Sequence, residues 1–355
     1  MTALPGEYGP LARELLWRAV AQRQPAMGAF ELTADCNLSC RMCYVRPDRA
    51  AVRPSAELSA SAWGSLTREA VDEGLVFLLL TGREPFLRPD FFELYEPLTH
   101  LGLMITLFTN GTLITPAVAE RLAQAPPSRT EITLYGATAA TYEAVTGVPG
   151  SYARCCDGIE ALVGQRVPLG LKTTITRQNV GELEAMREMA HSWGLPFMGG
   201  WLLTRRPDGN PSEVDQCRLS AGDCIALEAT DQASADDWTE AALRGPTAHD
   251  GSNYYCGAGR GAFVVNPAGE MNVCLDLPQP RARPLEVGFA AAWTQVQQYV
   301  DAAPPLGAAC RDCEALAFCP RCPAWSLMET GTLTEPVPYL CEIARERKEF
   351  YGQRV

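Results

Sequence analysis

The chain has 355 residues, of which 47% are apolar and 20% charged, and a formal charge of −12. That length accommodates one large domain and a smaller one without disulfide support. A field of that sign repels phosphate backbones and excludes nucleic acid as a natural partner, and no apolar run approaches the roughly 18 residues a membrane span needs.

The N-terminus, "MTALPGEYGPLARELLWRAVAQRQ", lacks the basic start and apolar centre of a signal peptide. Leu11, Leu15, Leu16 and Val20 instead predict a short amphipathic helix, so residues 1–27 read as a helical lead-in to a cytoplasmic protein. From 28 to 204, strand-like and helix-like periods alternate. The predicted strands are 28–33, 76–81, 103–109, 131–136, 171–176 and 196–204, and the predicted helices lie near 57–73, 90–102, 116–124, 151–165 and 181–193. Six strands alternating with helices predict parallel pairing with right-handed crossovers, in an open or closed β/α barrel. Residues 205–255 read as a connection between domains. Residues 256–355 hold seven of the fourteen cysteines and show little helical periodicity before "CEIARERKEFYG", which predicts a segment organised around metal rather than around a core.

The first strand runs directly into "CNLSCRMCY", with Cys36, Cys40 and Cys43 at spacings of four and three. The cytoplasm is reducing, so so many cysteines point to soft-metal ligation rather than disulfides. Chemistry in β/α barrels sits on the loops after the strands. Three thiolates on one such loop can hold three irons of a [4Fe–4S] cluster and leave the fourth iron open. A structural zinc site is the alternative, and zinc prefers four closed ligands.

"CNLSCRMCY" after a first strand resembles the signature of the radical S-adenosylmethionine (radical SAM) family, with Met42 where the family has an aromatic and Tyr44 just beyond the triplet. "TGREPFLRPDF" is similar to the family's Gly-Gly-Glu-Pro motif, and "FTNGTLIT" and "ITLYGATAATYEAVTG" resemble its peptide-modifying members. The resemblance implies a partial (β/α)6 TIM-type barrel over 28–204. It also implies a [4Fe–4S] cluster whose open iron is chelated by SAM, and reductive cleavage of SAM to a 5′-deoxyadenosyl radical that takes a hydrogen atom from substrate. By the same analogy Gly82, Arg83, Glu84 and Pro85 lie along the methionine of SAM. Arg83 stands where the family has glycine, and fits if its side chain points outward. Thr109, Asn110 and Gly111 shape the ribose side. Lys172 and Arg154 are candidates for a carboxylate of SAM or substrate, or ordinary surface charges. Tyr135 replaces an aspartate common in related enzymes.

Downstream, Cys256, Gly269 and Cys274 precede Cys310, Cys313, Cys319, Cys322 and Cys341. Read bare, "CRDCEALAFCPRC" has the two C-x2-C knuckles of a zinc ribbon. With the upstream triplet it resembles the SPASM extension of radical SAM enzymes, except that only Pro320 and Arg321 separate its last two grouped cysteines. That resemblance implies a cysteine-rich, Fe–S-organised SPASM domain over 256–355 with two auxiliary Fe–S clusters. Cys310, Cys313, Cys319 and Cys341 would close one. Cys256, Cys274 and Cys322 would leave the other with an open iron, unless Cys217 or Cys224 supplies the fourth thiolate. Cys155, Cys156, Cys217 and Cys224 otherwise read as small apolar residues.

The enzyme expected is a maturase that crosslinks, oxidises or epimerises a ribosomally made peptide, reduced by a flavodoxin or ferredoxin. The lead-in is too short for a leader-binding domain, so a separate recognition protein, or leader binding by the barrel itself, would have to compensate. The alternatives are oxidation or epimerisation of a small molecule such as an aminocyclitol or sugar, and a non-catalytic zinc-binding protein.

Overall fold

The computed structural model describes residues 9–43, 57–206, 212–244, 253–254 and 256–353. Tyr44 lies outside them. Six parallel strands follow the predicted order: β1 (Met27–Glu31), β2 (Phe77–Thr81), β3 (Met104–Thr109), β4 (Arg129–Thr133), β5 (Leu169–Thr174) and β6 (Phe197–Gly200). Each pairs with its sequence neighbour, which is the partial barrel expected from the alternating periods. Helices cover the outer face. Helix Ala60–Asp72 starts where Ser59 accepts from the Ala62 amide, and it buries Trp63, Leu66 and Ala70. The Trp63 ring lies 4.8 Å from that of Phe30 on β1. The strand face opposite Phe30, Leu78, Leu80, Ile105 and Leu107 turns into the barrel, where Ala29, Leu79, Thr106 and Phe108 line the lumen.

The C-terminal segment differs from the expectation. Strand β7 (Ala262–Val265) pairs parallel with β1, and β8 (Met271–Cys274) and β9 (Leu277–Ala282) continue antiparallel, so one nine-stranded sheet carries both halves of the chain. Helix Phe289–Asp301 then packs Phe289, Ala292, Trp293, Val296 and Val300 into the same core as Phe30 and Trp63. This segment therefore has an apolar core as well as its cysteines. The stretch read as a connection contains helices Ser212–Cys217, Ala221–Thr230 and Gln232–Arg244. Glu228 of the second is fully buried against Arg347 of the terminal helix Pro338–Gly352, so this stretch is packed into the structure.

Candidate active site at the strand ends

A cavity of about 470 Å³ opens at the C-terminal ends of β1–β6. Cys36, Cys40 and Cys43 all line it, with Thr81 ending β2 and Gly82 and Arg83 after it, Thr109 ending β3 and Asn110 after it, Tyr135 after β4 and Lys172 on β5. The C-terminal segment closes the mouth through Leu275, Asp276 and Trp325, and the Trp325 indole N–H donates to Asp276 Oδ2 at 3.0 Å. Below it, a second cavity of about 590 Å³ fills the lumen. Both are lined by Phe108, Leu275 and Asp276, so they adjoin at those side chains.

The triplet loop is held to the strand ends by backbone. Arg83 N–H donates to Thr33 O at 3.2 Å and Glu84 N–H to Asp35 O at 3.0 Å. This close approach explains Gly82: its φ is +112°, and a Cβ there would lie 2.9 Å from Leu32 N and from Thr33 O. Gly82→Ala is expected to cost at least about 1–3 kcal/mol from the backbone conformation alone. A fall in the denaturation midpoint together with weaker SAM binding checks it; an alanine variant matching wild type in both would contradict it.

Cys36 accepts from the Leu38 amide at 3.4 Å and from Asn110 Nδ2 at 3.8 Å. Burial pushes its thiol up to about 11 and that of Cys40 higher still, and neighbouring thiols of the triplet add to both. Burial keeps these groups as neutral thiols, and they would ionise only on binding a cationic centre. Among the described residues no three Cys, His, Asp or Glu side chains converge as the ligands of a single ion would. Three thiols spread around one cavity match a polynuclear Fe–S cluster in donor type.

The other sequence-derived positions divide. Met42 is buried with Val145, Leu203, Val214 and Cys217, and lines the cavity. Arg83, placed along the methionine of SAM on condition that its side chain points outward, instead lines the cavity and acts electrostatically on Glu31 of β1. Glu84 and Pro85 are not among the cavity residues. The Glu84 carboxylate is fully buried and accepts from Thr109 Oγ1 (2.8 Å), Asn110 N (2.7 Å) and Phe86 N (3.2 Å), clamping the ends of β2 and β3 together. Burial raises its pKa to about 7 against these bonds. Gly111 is likewise buried beside Ile132, off the cavity lining. Arg154 is exposed on the outer helix Ser151–Gly164 and does not reach the site. Lys172 does: its ammonium lies 3.4 Å from Glu131, itself 2.9 Å from Arg129, and burial lowers its pKa to about 8.

The downstream cysteines fall into the two expected groups. Cys310, Cys313, Cys319 and Cys341 interact electrostatically with one another, and so do Cys256, Cys274 and Cys322. Burial pushes Cys319 and Cys274 up to about 12 and Cys322 to about 11. Arg321, the variant position before Cys322, is buried and bonds Asn253 near Cys256, tying two ligand segments together. Neither suggested source of a further thiolate joins the second group. Cys217 packs beside Met42, and the Cys224 sulfur lies 3.6 Å from the Tyr339 hydroxyl. Cys155 is buried and Cys156 half-buried, and neither lines the cavity. Asp276 is the acidic group beside the trio, acting on both Cys274 and Cys322. Sequence reasoning missed it and Trp325, although their positions two residues after Cys274 and three after Cys322 were a usable signal.

Residues 30–190 match the model of the Radical SAM superfamily. An AdoMet-dependent heme synthase of Methanosarcina barkeri is 29% identical over 339 residues, 89% of this chain and 96% of that protein. Mycofactocin maturase MftC of Mycobacterium ulcerans is 29% identical over 259 residues, 70% of this chain and 68% of that protein. The crystal structure of Streptococcus suis SuiB bound to precursor peptide SuiA shares the fold at a TM-score of 0.69 and 15% identity, over 95% of this chain and 82% of that one. Among the described residues no helix is long and apolar enough to cross a membrane. With a superfamily match over the barrel, two relatives that extend beyond it and a cysteine triplet facing a cavity at the strand ends, the chain is a radical SAM enzyme related to SPASM-type maturases and AdoMet-dependent heme synthase.

Proposed function

We propose that the enzyme modifies a ribosomally made peptide, using SAM at the triplet and two auxiliary clusters in the C-terminal segment. When bound, a [4Fe–4S] cluster on Cys36, Cys40 and Cys43 supplies the electron that cleaves SAM to a 5′-deoxyadenosyl radical. The observation that carries the reading is a pair of adjoining cavities that share Leu275 and Asp276, with the triplet lining one and Cys274 the other, an arrangement that would bring one substrate near both centres. Residues 28–204 serve as the radical SAM unit, 256–355 as the auxiliary-cluster unit and 1–27 and 205–255 as lead-in and connection. Gly82 and Arg83 border the methionine end of SAM, and Thr109 and Asn110 the ribose side. Cys256, Cys274 and Cys322 hold a cluster with an iron open toward the cavity. Peptides as substrates accord with the precursor peptide bound in the SuiB structure and the maturase name of MftC. A small-molecule substrate is the second reading, favoured by the heme synthase, which this chain matches over nearly its whole length.

The test is anaerobic incubation of the reconstituted enzyme with SAM, reductant and a precursor peptide encoded beside its gene. A mass change in the peptide, with SAM cleavage stimulated by it, is expected. Stimulation by a haem precursor or sugar, but by no peptide, would favour the second reading. Changing Cys310 or Cys313 to alanine should leave SAM cleavage within about tenfold of wild type and stop product formation. Equal product from variant and wild type would remove that cluster from the reaction.

The ammonium of Lys172 is the cation offered to a carboxylate of SAM or substrate. Its pKa of about 8 means that this charge is present below pH 8 and lost above it. Affinity for the carboxylate ligand is expected to weaken as pH rises through that value. Lys172→Met should weaken binding and remove this pH step; a step unchanged in the variant would assign it to another group.

A further inference from the structure

The loops after β3 and β4 each send one side chain to a sulfur of the triplet. Asn110 follows β3, and its amide orientation is fixed by its partners. Its Oδ1 accepts from the Thr112 amide (2.9 Å) and the Thr112 hydroxyl (2.6 Å), which leaves Nδ2 facing Asn37 Oδ1 at 2.9 Å and Cys36 Sγ at 3.8 Å. A flipped amide would set Nδ2 against the Thr112 N–H and lose these bonds. The Asn110 backbone is pinned as well, its N–H donating to Glu84 Oε2 at 2.7 Å. Asn37, inside the triplet loop, donates to Thr112 Oγ1 at 2.8 Å, so the β3 loop and the cysteine loop are stitched at two points. On the other side Tyr135, after β4, lines the same cavity wall as the triplet and packs with Cys40 against the cluster of Met42 and Val145, which brings its hydroxyl toward the Cys40 thiol.

From this geometry we infer that Asn110 and Tyr135 are positioning residues of the SAM-binding centre, donating N–H···S and O–H···S hydrogen bonds to Cys36 and Cys40 and raising its reduction potential. The inference rests on the assignment of the triplet as cluster ligands. A donor to a ligating thiolate draws electron density from the sulfur, which stabilises the reduced state of an attached cluster. It also gives a reason for Tyr135 in place of an acid: a neutral hydroxyl donates, whereas a carboxylate at that point would add negative charge beside a thiolate. Both residues are thereby assigned to the sulfur side of the cavity, in addition to any contact with bound SAM.

Asn110→Ala and Tyr135→Phe are the test, with reductive titration followed by EPR of the signal that responds to added SAM. The expected result is full iron and sulfide content in both variants and a reduction potential more negative than wild type in each. The decrease should be larger in the double variant. Tyr135→Phe keeps the ring, so it reads the bond even if Asn110→Ala disturbs its loop. Unchanged potentials in both single variants would overturn the inference, as would unchanged potentials with SAM affinity reduced tenfold or more, the signature of a ribose contact alone. A wild type with full iron content but no SAM-responsive signal would overturn the triplet assignment itself, and this inference with it.

Discussion

Replacing Cys36, Cys40 and Cys43 together by alanine is expected to abolish formation of 5′-deoxyadenosine from SAM under anaerobic, reducing conditions. The three thiols line one cavity at the strand ends, and without them nothing in that wall can hold an iron centre against the chelating end of SAM. Iron content should fall by the share of one cluster. The centres held by Cys310, Cys313, Cys319 and Cys341 and by Cys256, Cys274 and Cys322 should persist. These cysteines lie around β7–β9 and along the segment from helix Ala308–Arg311 to helix Pro338–Gly352, and the strand pairing of β7–β9 involves no residue of the triplet loop. A triple variant that still cleaves SAM would remove the triplet from the chemistry.

The largest expected loss of stability is at Glu228. Arg347 Nε donates to Glu228 Oε2 at 2.8 Å, Nη1 donates to Phe318 O at 3.0 Å, and the guanidinium lies 4.1 Å over the Trp238 ring. The Trp201 indole donates to the same carboxylate at 3.2 Å. Glu228 and Arg347 are 0% and 2% exposed, so Glu228→Ala strands a guanidinium in the core and should cost about 3–5 kcal/mol. Replacing both partners, Glu228→Leu with Arg347→Met, should recover most of that loss, because neither charge is then left buried alone. Denaturant titration of the three proteins decides it; a single variant within about 1 kcal/mol of wild type would mean that water reaches the pair. Phe318 precedes Cys319 and Trp201 follows β6. The same pair therefore ties the barrel to the loop bearing Cys319, and if that thiolate holds an auxiliary cluster, loss of the pair should also lower iron retention there.

The barrel was legible in the sequence because parallel strands buried on both faces leave apolar runs such as "VFLLLT" and "LMITLFT", separated by helix-length segments. The triplet was legible because ligand spacing is local. The second half of the sheet was not. Strands β7 and β8 have four residues each, and β9 carries Pro278 and Pro280, which suit only an edge strand. Helix Phe289–Asp301 has the right period at Phe289, Ala292, Trp293, Val296 and Val300, but alanines and glutamines between them dilute it. The direction of Arg83 depends on the positive φ of Gly82, and Arg154 proved to lie on the exposed face of its helix. The bond of Asn110 to Cys36 and the packing of Tyr135 beside Cys40 are tertiary, between loops 74 and 95 residues apart in sequence, counted from Cys36 to Asn110 and from Cys40 to Tyr135. No local pattern encodes them. Asp276 lies close enough to Cys274 to be noticed, but its place in the mouth of the cavity follows from the pairing of β8 with β9.

SAM meets the iron–sulfur centre proposed on Cys36, Cys40 and Cys43 only if EPR of the reduced, reconstituted enzyme changes when SAM is added. One signal is expected to shift on adding SAM and to be missing from the triple alanine variant, while the signals of the C-terminal centres stay unmoved in both proteins. A wild-type spectrum with full iron content that SAM leaves unchanged, or a SAM-dependent shift that survives in the triple variant, would contradict it.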